Sequence, residues 1–230
     1  MQQFEINVNE IDYRTDEAFK ILRSNIEFTD SRAKVIAITS ALPKEGKSTV
    51  AFELAISFVK AGKRALVVDA DLRRSSLEQY HKKGKIQYGL SNYLAGQTDY
   101  KGIICATDVK NLYTVFAGPM PANPSELLGR EPFKVFLDTT KELFDVVIVD
   151  TPPIGAVIDA AVVSKNCDGV VVVMGSGSVN YKVARTVCNQ LEIAGAKILG
   201  VVLNKVDFSK NSYQARYYVD YYGEVEIKEK

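Results

Sequence analysis

Six short apolar runs recur along the chain, at residues 35–39, 64–69, 112–117, 146–150, 169–174 and 198–203. Each is about the length of a strand, and each lacks the alternation of a strand with one wet face, so each is predicted to be buried on both faces. Between them the period changes. Residues 47–61 place Val50, Ala51, Leu54, Ala55 and Phe58 on one helical face, and Gly62 closes the segment. A short helix is expected at 89–96, another capped by Ser125, and longer ones at 131–143 and 179–193. Strand, helix and strand in close succession make right-handed crossovers and therefore a parallel sheet. The expected fold is α/β, a mostly parallel central sheet between two layers of helices.

Upstream, residues 1–14 are polar with scattered Phe4, Ile6, Val8 and Ile11 and read as an arm. Thr15 or Asp16 is expected to cap a helix running to about Phe28, with Ala18, Ile21, Leu22 and Ile26 on one face. Glu17, Lys20 and Arg23, at spacing three, form a charged stripe on it, either a solvated face or a contact for another subunit.

The first strand runs into Ala41-Leu42-Pro43-Lys44-Glu45-Gly46-Lys47-Ser48-Thr49. A strand, a loop ending in Gly-Lys-Ser and a helix are the context of a phosphate-binding loop. Backbone N–H groups of residues 44–49, after Pro43, and of the free helix end converge on phosphates. Gly46 permits close approach, Lys47 supplies a point charge, and Ser48 can ligate Mg²⁺. The pattern departs from G-x-x-x-x-G-K-[ST] at Ala41, and Lys44 stands where a small residue is easier to accommodate.

Two later strands end in acids at the edge where doubly wound sheets bind ligands, Asp69-Ala70-Asp71-Leu72-Arg73 after the second and Asp150 after the fourth. One such Asp is commonly a helix cap. A pair beside a phosphate site points to metal and proton handling. Arg73, Arg74 and the Lys82–Lys85 region read as solvated surface, and His81 as exposed. The last strand ends in Asn204-Lys205-Val206-Asp207, a form that reads guanine in small GTPases.

Composition narrows the classes. A chain of 230 residues with 47% hydrophobic content and 25% charged residues suits one soluble domain with a decorated end. Net charge is +1, so no nucleic-acid partner is expected. Cys105, Cys167 and Cys188 lack metal-ligand spacing and read as reduced thiols of a cytoplasmic protein. There is no signal-peptide pattern, and no apolar run reaches the ~18–20 residues of a membrane span. A membrane role would go through a partner.

The final stretch, 208–230, has few aliphatic residues and a composition expected of a disordered tail. It holds five of the chain's twelve tyrosines, Tyr213, Tyr217, Tyr218, Tyr221 and Tyr222, far above an even share for 23 residues. They read either as an aromatic docking tail or as phenols presented for modification.

Taken together, these motifs resemble the bacterial tyrosine kinases of capsule and exopolysaccharide synthesis, in their free cytoplasmic form. The resemblance runs from about Thr15 to the tail. Its carriers are 41–49 as Walker A, Asp69 to Arg73 as the family's extra acidic motif, 146–150 as Walker B, Gly118 to Leu128, and the tyrosine cluster. It implies a P-loop kinase that autophosphorylates Tyr213, Tyr217, Tyr218, Tyr221 and Tyr222 with ATP and Mg²⁺, between subunits of a ring. It implies a transmembrane polysaccharide co-polymerase adaptor that recruits the kinase to the inner membrane face, a phosphotyrosine phosphatase, and control of polysaccharide polymerisation and export. The family's E-x-x-R-x-x-R oligomer helix reads Glu17-x-x-Lys20-x-x-Arg23 here, and Lys20 cannot make a bidentate fork.

The expected division is an arm and oligomerisation helix at 1–30, a kinase domain at 31–207 and a tail at 208–230. Lys47, Asp69, Asp71 and Asp150 are the expected catalytic residues. Asp69 is assigned as base, and Ser48, Asp71 and Asp150 as metal-shell residues. Asp69 and Asp71 can exchange roles. Asn204 joins residues 43–49 in nucleotide binding. Rival readings are a GTPase, from Asn204 to Asp207; a partition or division-site ATPase, which usually has a lysine where this chain has Leu42; and a nucleotide-gated scaffold.

Overall fold

The β-branched runs fold as read, and they stand side by side at the centre of one sheet. A computed structural model describes residues 2–6, 11–83 and 86–207. Strands β2 (Val35–Ser40), β3 (Ala65–Asp69), β7 (Val146–Asp150) and β8 (Gly169–Gly175) are buried along their whole length. Val and Ile at both side-chain phases are what a strand covered on two faces requires.

The remaining strands are β1 (Gln2–Ile6), β4 (His81–Lys83), β5 (Cys105–Thr107), β6 (Leu112–Val115) and β9 (Ile198–Asn204). Among the described residues they form a nine-stranded sheet in the order β4-β1-β5-β6-β3-β7-β2-β8-β9. Pairing is parallel except at β1/β4 and β5/β6.

Helices α1 (Tyr13–Thr29) and α2 (Lys47–Lys60) cover one face, where Ile26, Val50, Leu54 and Phe58 join Ile36, Ile38, Val67 and Ile148. The other face is covered by α3 (Leu90–Leu94), α4 (Tyr100–Ile103), α5 (Pro124–Leu128), α6 (Glu131–Leu143), α7 (Asp159–Ser164) and α8 (Tyr181–Ile193). There Phe133, Phe136, Leu137, Val163 and Leu191 pack on Val147, Val149, Val170 and Val172. No described helix is long and apolar enough to cross a membrane.

Several local expectations change. Residues 2–6, read as arm, form β1, parallel to β5 and antiparallel to β4, with Phe4 buried against Phe116 and His81. His81 is accordingly half-buried rather than exposed. Its ring meets both phenyl rings edge-on, and Nε2 is buried without a hydrogen-bond partner among the described residues. Helix α1 starts three to four residues earlier than expected, because Asp12 accepts from Thr15 N–H and caps it. Only Ile26 is fully buried on it, and Ala18 is exposed. The short helix expected from Ser125 begins at Pro124, where proline suits the first turn. Strand β9, expected to be buried, is a sheet edge with Val201 and Leu203 about half exposed. The tail at 208–230, including its expected disorder and its five tyrosines, lies outside the described residues.

Candidate active site

The loop after β2 wraps the start of α2 by passing through two left-handed residues, Lys44 (φ 66°) and Gly46 (φ 90°). Gly46 is the N-cap of α2, so the first N–H groups of a 14-residue helix face the loop. A Cβ at Gly46 would stand 2.2 Å from Asn204 Nδ2, so close approach of chain to chain requires glycine there. Pro43, Lys44 and Thr49 are exposed on the loop, and Ser48 is buried.

Glu45 explains why this loop holds its shape. Its buried carboxylate accepts from Leu42 N–H (2.7 Å), Gly175 N–H (2.9 Å) and Ser178 Oγ (2.5 Å). From the far side Asn204 Nδ2 donates to Glu45 O (2.8 Å), and Lys205 Nζ to Lys44 O (2.5 Å). The Asn-Lys pair of residues 204–205 therefore clasps the phosphate loop.

Register brings the acids to the same edge. Asp69 lies opposite Asp150 in the β3/β7 ladder. Lys47 Nζ sits between carboxylates, 3.2 Å from Asp71 Oδ2 and 3.6 Å from Asp150 Oδ1, and donates to Ser48 Oγ at 3.1 Å. Asp69 is fully buried. It accepts from Ser75 Oγ (2.6 Å) and from Asp71 N–H (3.1 Å), and Asp71 Oδ1 in turn accepts from Arg74 N–H (3.0 Å). These side-chain-to-backbone bonds wind 69–74 into a tight turn.

Electrostatics follow from burying three carboxylates beside one ammonium. Burial pushes Asp69 up to about 8, with Asp150 and Asp71 adding to it against the pull of Ser75 and Lys47. Burial likewise raises Asp150 to about 6, although Lys47 and Ser48 oppose it. Burial pulls the Lys47 ammonium down, but Asp150 and Asp71 outweigh it and hold it above its ordinary value.

Among the described residues neither carboxylate oxygen of Asp150, both buried, has a hydrogen-bond partner, and only the Lys47 ammonium, 3.6 Å from Oδ1, offsets its charge. Orphaned buried oxygens of a charged group are costly unless something binds them. With Ser48 and Asp71 adjacent, the donor set is all hard oxygen, which fits Mg²⁺. Among the described residues no group of three His, Cys, Asp or Glu side chains could hold a metal ion without other ligands. Such a cation would need water and phosphate oxygens as well, as Mg²⁺ at nucleotide sites does.

The structure thus brings together Lys47, Ser48, Asp69, Asp71 and Asp150, and places Asn204 behind the loop. It keeps the α1 stripe away from this edge and divides it. Lys20 pairs with Glu17 (2.6 Å) and Asp16 (2.8 Å) on its own helix. Arg23 turns inward and donates to Ser57 O (2.6 Å), in the last turn of α2.

Sequence reasoning missed three features. Ser75 and Ser76 follow the acidic turn, and Ser76 Oγ donates to Ser48 Oγ at 2.6 Å. Arg73, read as solvated, grips the buried Asp159 with Nε (2.7 Å) and Nη2 (3.1 Å) and reaches Ser125 Oγ (3.0 Å). Asp159 therefore joins the turn at 69–74 to the starts of α5 and α7. The available signal was an acid just after the Pro-rich exit of β7, facing a motif that ends in arginine.

The AAA domain family model matches residues 33–183. The chain is 41% identical over 200 residues to Tyrosine-protein kinase CpsD of Streptococcus agalactiae, an alignment covering 87% of each chain. Its structure is similar to that of the chimerical protein CapA2B2, with TM-score 0.80, 34% identity and coverage of 90% of this chain and 94% of that one. It is also similar to the kinase domain of Escherichia coli tyrosine kinase ETK, with TM-score 0.79, 33% identity and coverage of 86% and 77%.

Proposed function

The chain belongs to the bacterial protein-tyrosine kinases, and on that premise we propose that its ATP-dependent transfer is directed to its own tyrosine cluster, Tyr213, Tyr217, Tyr218, Tyr221 and Tyr222, from one subunit to the next. The observation that carries this reading is a buried carboxylate, Asp69, raised to about 8 beside the phosphate loop. A tyrosine phenol, with a pKa of about 10, needs a base at neutral pH, and a base is most useful when its own pKa is near the working pH.

In this mechanism the loop amides and Lys47 hold the phosphates of ATP. To reach them, the Lys47 ammonium leaves Asp71 and Asp150. Asp71, Asp150 and Ser48 would hold Mg²⁺, which when bound would neutralise charge on the phosphates. Asp69 takes the phenolic proton, and the phenol oxygen bonds to the γ-phosphorus as the bond to the bridging oxygen of ADP breaks. Lys47 and the amides stabilise charge on the transferring group. Asp71 can serve as base in Asp69's place, since it lies two residues beyond it in the same turn. Pro43, Lys44, Glu45, Gly46 and Thr49 shape the loop, and Asn204 supports it from behind.

Residues 31–207 act as the kinase unit, 208–230 as acceptor, and 1–30 carry the oligomer contact through Glu17, Lys20 and Arg23. A ring of subunits, a transmembrane polysaccharide co-polymerase adaptor that recruits the chain to the inner membrane face, and a phosphotyrosine phosphatase complete the cycle. Its output is control of capsule or exopolysaccharide polymerisation and export. The test is phosphotyrosine on the purified chain with Mg-ATP and a candidate adaptor's cytoplasmic segment, beside Lys47→Met. A signal lost in the variant is expected. Phosphotyrosine retained by Lys47→Met refutes the mechanism, and ATP binding without any phosphotyrosine favours a switch or scaffold.

A further inference from the structure

Arg73 is committed to Asp159 and Ser125, but its neighbour is not. Arg74 is exposed and makes no side-chain ion pair or hydrogen bond among the described residues. Its backbone N–H is 3.0 Å from Asp71 Oδ1, so its Cα lies within one turn of the reacting edge. The arginine clamp draws together the loops on either side. Met120 precedes Ser125 by five residues, Ile158 precedes Asp159 by one, and each is 66% exposed. Large apolar side chains this exposed, on the two loops that Arg73 ties to the acidic turn, are the makings of a recognition surface.

We propose that Arg74, together with the loops that carry Met120 and Ile158, is the docking surface for residues 217–227 of a second copy of this chain, and that Arg74 selects tyrosines with acidic neighbours. This rests on the reading of the tail as acceptor. Charge complementarity identifies the occupant. Residues 217–227 contain Asp220, Glu224 and Glu226 and no basic residue, with Val219, Val225 and Ile227 between the tyrosines. Residues 208–216 contain Lys210 and Arg216 and no acid. An extended peptide advances about 3.3 Å per residue, so an acid one to three positions from the attacking tyrosine lies within an arginine's reach. Tyr217, Tyr218, Tyr221 and Tyr222 are therefore the favoured acceptors, and Tyr213 is the poorest.

The test uses full-length chains with Mg-ATP. The enzyme carries Arg74 or Arg74→Glu. The acceptor is a mass-tagged Lys47→Met chain with either its native tail or Asp220→Lys, Glu224→Lys and Glu226→Lys together. Initial rates are read tyrosine by tyrosine by mass spectrometry, and ATP binding is measured separately. Each mismatched pair is expected to run roughly tenfold slower than the matched wild-type pair, and the doubly reversed pair to recover most of that loss. Equal rates for all four pairs overturn the docking surface and leave the kinase reading intact. So does a failure of the reversed pair to recover, or loss of ATP binding in Arg74→Glu. Absence of phosphotyrosine from the tagged acceptor of the wild-type pair, with phosphate only on the enzyme's own tail, overturns transfer to a second copy. Absence from every tail overturns the reading beneath the proposal.

Discussion

Replacing Asp150 by Asn should make the ligand-free protein more stable while abolishing transfer. Asp150 is fully buried, and its oxygens have no hydrogen-bond partners among the described residues. Its folded value of about 6 lies above its ordinary 3.8, and that value already contains the attraction of Lys47. A carboxyl group raised on folding favours the folded state least when it is ionised. The cost is absent below 3.8, grows as pH rises to about 6, and is complete above that. At about 1.36 kcal/mol per pH unit, the interval corresponds to about 3 kcal/mol at pH 8. Asparagine keeps the shape, carries no charge, and also relieves Asp69, for which Asp150 is the main charged neighbour raising its value. The assay is urea unfolding with chelator from pH 5 to 9. The variant's advantage should grow from roughly half its full size at pH 5 to between about 1 and 3 kcal/mol at pH 8, roughly 2–10 °C in Tm. Saturating Mg-ATP should stabilise the wild type and do much less for the variant. A variant less stable than wild type at pH 8, or a difference that does not change with pH, refutes the account of burial outweighing the Lys47 pair.

Two further outcomes follow from the same site. Because Asp69 must be ionised to act and burial raises it to about 8, kcat/KM should climb with pH up to about 8 and level above it. An unchanged kcat/KM from pH 6 to 9 removes Asp69 as base. Lys44 holds φ 66°, a left-handed conformation costing an L-residue about 1–2 kcal/mol, so Lys44→Gly should stabilise the protein by about 0.5–1 kcal/mol after glycine's greater unfolded entropy is deducted. Chemical denaturation measures it, and a destabilised variant would mean that the Lys44 side chain contributes more than its backbone costs.

What was legible in the sequence was whatever is local or doubly buried. Val146 to Asp150 and Ala65 to Asp69 announce themselves because strands covered on both faces admit almost nothing polar until they end. The acids at their ends mark the sheet edge, and Gly46-Lys47-Ser48 marks the loop between them. The outer strands were hidden for the opposite reason. Phe4, Glu5 and Ile6 alternate over too few residues to be distinguished from an arm, and their order comes from β5, about a hundred residues away. His81 belongs to the same distant arrangement. Arg73 looked solvated because arginine usually is, and nothing near it in the chain reveals Asp159, 86 residues on. The Arg23 contact was hidden similarly, since helical spacing gives its face but not that Ser57 lies within reach of it.

The clasp around Glu45 also dictates when the site can come into being during synthesis. Strand β2 is flanked by β7 and β8, made more than a hundred residues later, and the loop after it is held by Gly175, Ser178, Asn204 and Lys205. A ribosome adds about 5–20 residues per second, so the nascent chain carries an unsupported Gly46-Lys47-Ser48 for roughly ten to thirty seconds before its last props emerge. Nucleotide therefore cannot template early folding. It can act only on a chain already released beyond Lys205, and any nascent chain arrested before that point presents a phosphate loop without its shape.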